Sequence, residues 1–178
     1  MNRIDLANLM YPNVVKTPED YEEIYPKRNL SENAIVTRQG PSPTGFVHMG
    51  HLRTFFIASK VAKDSGGLFY LRIEDTDDKR TIENGISGIL RDLDYFDIKM
   101  DEGPISDTEE VGKYGPYIQS KRLDIYHTYA KYMVENDLAY PCFCTEKELA
   151  NIRNNQEAKK ERIGYYGKYA KCRCMYID

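Results

Sequence analysis

Long apolar runs are missing from this chain: no stretch approaches the roughly 18 residues that a membrane-spanning helix needs, so no membrane role is expected. Residues 1–30 hold Asp, Glu, Tyr and Pro without a basic segment leading into an apolar one, so they do not read as a secretory signal. Cysteine is absent until position 142, and the four present then fall at 142, 144, 172 and 174. Without secretion a disulfide framework is not expected, and reduced thiols in a cytoplasm fit better. A strong net charge is lacking too: 25 Lys and Arg against 28 Asp and Glu leave −3, which excludes a disordered polyelectrolyte and a globally basic nucleic-acid coat.

What is present suffices for one sizeable core, with 178 residues of which 41% are hydrophobic. Charge is uneven, with 8 Lys and Arg against 5 Asp and Glu in residues 145–178, a surplus of +3 that leaves −6 for residues 1–144. A polyanion would favour the C-terminal stretch.

Residues 1–33, with Pro12, Pro18 and Pro26, read as an irregular or partly helical extension. Ala34, Ile35, Val36 and Thr37 predict a buried strand, and Gly40, Pro41, Pro43 and Gly45 end it in a structured loop. Residues 48–63 are apolar nearly all round, which predicts a buried helix, and Gly66 and Gly67 stop it. Residues 68–73 predict the next strand, completing a βαβ unit with parallel strands. Ile82, Ile86, Ile89, Leu90, Leu93 and Phe96 mark an amphipathic helix, and Leu123, Tyr126, Tyr129, Ala130 and Met133 mark another over about 120–137. A charged helical stretch is expected over about 145–161. The expected fold is α/β, a Rossmann-like parallel sheet with flanking helices, divided into an extension (1–33), a catalytic half-domain (34–139) and the start of a small insertion (140–178).

The segment from Arg38 through Pro41, Ser42, Pro43, Thr44 and Gly45 to His48, Met49, Gly50 and His51 lies where the first strand becomes the first helix. Ligands of open α/β sheets collect beyond the carboxyl ends of strands, and a helix start favours phosphate. Gly50 admits a base or ribose without a Cβ clash, and His48 and His51, three apart, can donate hydrogen bonds to phosphate oxygens. The plainer alternative is that both histidines merely cap a helix. Together the PSPTG and HMGH strings resemble the signature of the glutamyl and glutaminyl branch of class I aminoacyl-tRNA synthetases.

A second block, Arg72, Ile73, Glu74, Asp75, Thr76, Asp77, is similar to the family's RIEDTD element, and four of the five residues 74–78 are acidic. Alone it would read as a solvated turn. A third block, Tyr117, Gln119, Ser120 and Arg122 with Ala139, Tyr140, Pro141, Cys142, Phe143, Cys144 and Thr145, resembles stretches that follow in the bacterial glutamyl enzymes. Gln119 and Ser120 could equally cap their helix. The resemblance implies ATP with Mg²⁺ at Thr44, Gly45, His48, Gly50 and His51, with the two histidines catalytic. It also implies glutamate at Arg38, Gly40, Ser42 and Glu74, and the tRNA 3′ end at Asp77 and Arg80. An Arg fork suits a carboxylate. Where the family usually has an apolar residue and Ala before PSPTG, this chain has Gln39 and Gly40, a freedom expected to loosen the glutamate pocket.

Cys142 and Cys144, and then Cys172 and Cys174, form two CxC pairs with 27 residues between them, a pattern able to close a tetrahedral zinc site. Tyr169 is an alternative fourth ligand, and ordinary reduced thiols are the plainer reading. The insertion is expected to hold the tRNA acceptor stem through Lys159, Lys160, Arg162, Lys168, Lys171 and Arg173, with Tyr165, Tyr166 and Tyr169 as flat faces.

The reaction implied is ATP-dependent activation of glutamate and its transfer to tRNA(Glu), by a monomer. No KMSKS-like lysine loop and no anticodon-binding bundle occur in these residues, so the chain by itself is expected to be weak or inactive. Rival readings are a paralogue that attaches glutamate to queuosine in tRNA(Asp), glutaminyl-tRNA synthetase, and a non-catalytic zinc RNA-binding module.

Overall fold

A computed structural model describes residues 2–45, 47–77, 80 and 82–174, the side chain of Cys174 excepted. The chain divides into two compact units, Glu19–Ile125 and Met1–Pro18 with Tyr126–Asp178.

In the first unit β1 (Val36–Gln39) and β2 (Leu68–Leu71) are parallel, in register from Val36 opposite Leu68 to Gln39 opposite Leu71, and are joined by α3 (Met49–Asp64). α1 (Arg3–Met10) and α2 (Pro18–Ile24) precede them. Leu52, Phe55, Ala58 and Ala62 bury one face of α3 against the sheet, in the three-to-four-residue rhythm of a helix stripe. The remaining face is open, with Phe56 58% and Ile57 48% exposed, so the helix expected to be buried all round is amphipathic. β1 is likewise no buried strand. Among the described residues it pairs only with β2, and Ile35 and Val36 are exposed.

The turn from α3 into β2 is set by two glycines. Gly66 takes a φ of +68°, and the amides of Gly66 and Gly67 close a Schellman motif onto Lys63 O at 3.1 Å and Ala62 O at 2.8 Å. A Cβ at Gly67 would lie 1.9 Å from the carbonyl oxygen of Ile35, which fixes how closely the strands approach.

Beyond Leu71 the sheet continues as single bridges. On its other flank β2 meets Glu102 through a parallel bridge at Tyr70, and Ile73 bridges Ile118 in the same sense. α4 (Gly85–Tyr95) lays Ile89 and Leu93 into the core beside Phe69, Leu71, Ile73, Ile98 and Ile118. It begins three residues later than its first apolar position because Asn84 adopts a left-handed conformation, φ 56°. A short antiparallel pair, β3 (Gly103–Pro104) with β4 (Glu110–Val111), occupies part of the connection that follows.

α5 (Leu123–Glu135) is introduced by a 3₁₀ turn over Gln119–Arg122. In the second unit its Val134 packs with Leu6 and Ala7 of α1, and Arg3 pairs with Asp137 at 2.5 Å. α6 (Glu146–Ala158) starts with a capping box in which Thr145 and Glu148 satisfy each other's amides. Gln156, fully buried, grips the backbone of Gly164 through both amide atoms, at 2.8 and 3.0 Å.

Candidate active site and cysteine cluster

The proline-glycine loop continues the β1 ladder after regular pairing ends. Arg72 N–H donates to Gln39 O and Glu74 N–H to Pro41 O, each at 2.9 Å, so the second acidic block lies alongside the first motif. Arg38 and Glu74 are thereby brought together: Arg38 Nη1 donates to Glu74 Oε1 at 3.2 Å, and Arg72 Nη2 reaches the same oxygen at 3.4 Å. This is a cation and an anion facing each other at the end of the strands, half open to solvent.

Gly40 makes room for that arrangement. A Cβ there would lie 2.6 Å from Glu74 Oε1, so the departure expected to loosen the site instead lets the carboxylate close onto Arg38. Pro43 is fully buried and its carbonyl accepts from Ile82 N–H at 3.0 Å, tying the loop to the approach to α4. Ser42 is exposed and Thr44 half-buried beside it.

His48 is the N-cap of α3, its Nδ1 accepting from Gly50 N–H at 3.1 Å. That bond leaves Nε2 as the atom able to donate outward. The two exposed rings stack, with centroids 3.8 Å apart. Desolvation, and then the neighbouring His48, push the pKa of His51 down, which favours its neutral form. Capping and ligand contact are therefore compatible here, because they use opposite edges of the His48 ring. Gly50 is equally tight, since a Cβ would meet the His48 ring at 2.9 Å.

The acidic block is not bare. Asp75 accepts from Ser120 N–H at 2.8 Å and Ser120 Oγ at 2.5 Å, so it caps the turn before α5 from across the sheet. Asp77 pairs with Arg80 Nε at 2.6 Å, and Asp78 lies outside the described residues. A cavity of about 410 Å³ opens beside Gly45 and Val47, against the N-terminal turns of α4 and Arg91; Arg38, Glu74 and the histidines do not line it.

Sequence reasoning missed a second charged constellation. Arg28, in the segment assigned no chemistry, forks onto Glu102 at 2.6 and 2.5 Å, while Tyr117 donates to Glu102 Oε2 at 2.6 Å. The guanidinium lies 3.7 Å from the Tyr114 ring centroid. The Arg28 bond holds the Glu102 carboxyl below its ordinary range, and burial followed by the Glu102 bond pushes the Tyr117 phenol up to about 12. No local pattern announces a partner 74 residues away.

In the other unit Cys142, Cys144 and Cys172 converge, with all three sulfurs within 4.8 Å of one another. Cys144 Sγ and Cys172 Sγ are 3.8 Å apart, the edge expected of a tetrahedron with metal–sulfur bonds of about 2.3 Å. The donor set therefore fits a soft divalent ion. Cys174, the expected fourth ligand, has its side chain outside the described residues. Tyr169 is not with the sulfurs, for its hydroxyl donates to Glu161 at 2.6 Å. Tyr165 is, with its hydroxyl 3.3 Å from Cys144 Sγ. The hydrogen bond from Tyr165, then that from the Phe143 amide, draws the Cys172 thiol down to about 7.

Residues 34–174 match the model of the family described as tRNA synthetases class I (E and Q), catalytic domain. The chain is similar to glutamate–tRNA ligase of Acetivibrio thermocellus, 48% identical over 97% of this chain and 32% of that protein. It is equally similar to that of Clostridium perfringens strain 13, at 48% over 97% of this chain and 32% of the relative. Among solved structures, the glutamate–tRNA synthetase of Elizabethkingia anophelis superposes with a TM-score of 0.68 at 35% identity, covering 82% of this chain and 29% of that one. A glutamate tRNA ligase of Elizabethkingia meningosepticum, in complex with its amino acid, gives 0.67 at 36% identity, over 83% and 29%. The chain spans about a third of the length of these relatives. With strand ends, histidine-capped helix and acidic block arranged as described, this chain belongs to the class I tRNA synthetases of the E and Q type and carries part of their catalytic domain.

Proposed function

We propose that the complete protein is a glutamate–tRNA ligase, activating glutamate with ATP and transferring it to the 3′ end of tRNA(Glu) in the cytoplasm, as a monomer. The curated relatives that support this reading carry that name at 48% identity. The observation that carries it is the Arg38–Glu74 pair, 3.2 Å apart at the strand ends. In the free protein the two charges satisfy each other. A zwitterionic amino acid inserted between them would trade that pair for two complementary contacts, carboxylate on Arg38 and ammonium on Glu74, with Ser42 beside them and Gly40 leaving the space.

ATP belongs on the neighbouring α3 start, its phosphates near Thr44, Gly45 and the outward edges of His48 and His51, its nucleoside over Gly50. Imidazole N–H groups there donate to the phosphate oxygens as negative charge shifts toward the leaving pyrophosphate. Mg²⁺ accompanying ATP supplies further charge neutralisation. No protein nucleophile is needed, because the glutamate carboxylate itself attacks the α-phosphorus, and positioning does the rest. Asp77 and Arg80 are assigned to the tRNA 3′ end.

Functionally we divide the chain into the extension 1–33, the catalytic half 34–139 and the acceptor-binding insertion from 140. The cysteine cluster is read as structural zinc, held by Cys142, Cys144 and Cys172, with Cys174 the sulfur candidate for the fourth place. In the full-length protein His51→Ala should slow glutamate-dependent pyrophosphate exchange by about 10²-fold, the scale of one lost charge-stabilising donor. An unchanged rate removes His51 from the mechanism.

A further inference from the structure

The acidic block carries two adjacent carboxylates, and the structure gives them different tasks. Glu74 faces Arg38 and Arg72, whereas Asp75 is held by Ser120 from the turn before α5. We propose that Ser120 is a positioning residue for the glutamate site: through Asp75 it fixes the backbone that presents Glu74 to the substrate ammonium. The inference rests on the ligase reading above.

The turn that carries Ser120 is the better anchored partner. Tyr117 and Ile118 are buried, Tyr117 N–H donates to Glu110 Oε2 at 2.8 Å, and Arg122 Nη1 donates to Pro116 O at 2.6 Å. Lys121 N–H donates to Ile118 O at 3.1 Å and closes the 3₁₀ turn over Gln119–Arg122. Against this turn the end of the strand is gripped residue by residue. Ile73 N–H donates to Tyr117 O at 2.8 Å, and Ile73 O accepts from Gln119 N–H at 2.9 Å. Glu74 turns to the opposite flank, its N–H donating to Pro41 O at 2.9 Å. Asp75 returns to the turn, its carboxylate accepting from Ser120 N–H at 2.8 Å and from Ser120 Oγ at 2.5 Å.

Glu74 thus has a fixed neighbour on each side, and the two fixings differ in kind. Ile73 is held through backbone groups inside the core, a grip that is indifferent to the side chains of the turn. Asp75 is half-buried and followed by the exposed Thr76, and its grip depends on a serine hydroxyl. A substrate-binding group works only as well as the residues around it hold it in place, so this hydroxyl sets how sharply Glu74 is aimed. Without it one carboxylate oxygen beside Glu74 loses its donor, and that less firmly held negative charge disfavours a substrate that brings two carboxylates of its own.

Steady-state charging of tRNA by the full-length protein, with glutamate and then ATP varied, tests this. Ser120→Ala should raise the KM for glutamate by about 10-fold, the scale of one lost hydrogen bond to a charged group, and leave the KM for ATP where it was. A merely structural role would lower the amount of active protein, and with it kcat, and move neither KM. Ser120→Thr keeps the hydroxyl and should restore the glutamate KM. In an Asp75→Ala background Ser120→Ala should add less than about twofold, because the group it acts through is gone. An unchanged glutamate KM in Ser120→Ala, no rescue by threonine, or a full effect in the absence of Asp75 overturns the assignment of Ser120 while leaving the ligase intact. A parent protein that charges no tRNA with glutamate overturns the ligase reading and this inference with it.

Discussion

Replacing Arg38 by Ala separates a binding role from a structural one, because the structure assigns the two effects different sizes. Arg38 and Glu74 are 37% and 38% exposed and lie 3.2 Å apart. An exposed pair of this kind contributes at most about 1 kcal/mol to folding, and solvent screening keeps it at the lower end. Glu74 also keeps Arg72 as a partner at 3.4 Å after the change. For a protein unit of this size the melting temperature should therefore fall by less than about 4 °C.

Binding behaves otherwise. Hydrogen bonds from a cation to the substrate carboxylate contribute about 1.5–3 kcal/mol, which is about 10- to 150-fold in affinity. Steady-state charging of tRNA by the full-length protein, with glutamate varied, should show KM raised in that range, and Glu74→Gln should raise it from the ammonium side. A large loss of melting temperature with an unaltered KM for glutamate would refute the reasoning, since the pair would then be holding the fold and not the substrate.

The Arg28–Glu102 pair should show the opposite balance. Its side chains are only 19% and 10% exposed, so Arg28→Ala strands a buried carboxylate and should cost about 3–5 kcal/mol in urea denaturation. Because Glu102 has a depressed pKa in the fold, its contribution is complete above about pH 4.3, the ordinary glutamate value. It is lost as pH falls through the folded pKa, so the parent should lose stability in acid more steeply than Arg28→Ala; equal slopes would refute the linkage. Gly40→Ala places a methyl 2.6 Å from Glu74 Oε1, a flexible side-chain end that can move. The fold should survive while the methyl takes up space left for the substrate, raising the KM for glutamate by up to about fivefold, on the scale of an exposed ion pair. An unchanged or lowered KM would show that Gly40 does not serve the bound state.

Local chemistry made much of this molecule legible in one dimension. Glycines at 66 and 67 stop α3, the apolar rhythm of Leu52, Phe55, Ala58 and Ala62 marks its buried stripe, and PSPTG followed by HMGH marks the strand-to-helix junction. These features depend on neighbours within a turn or two, so residue order suffices to read them. Which residues meet across the fold was decided only by the tertiary structure. The ladder register set Glu74 against Gly40 and Arg38, and β2's far flank delivered Ser120 to Asp75. Arg28 met Glu102 across 74 positions, and Tyr165 rather than Tyr169 came to the sulfurs because Gln156 anchors the backbone before it. Ion pairing, sheet register and ligand convergence follow distance in space, and chain position alone does not encode that distance.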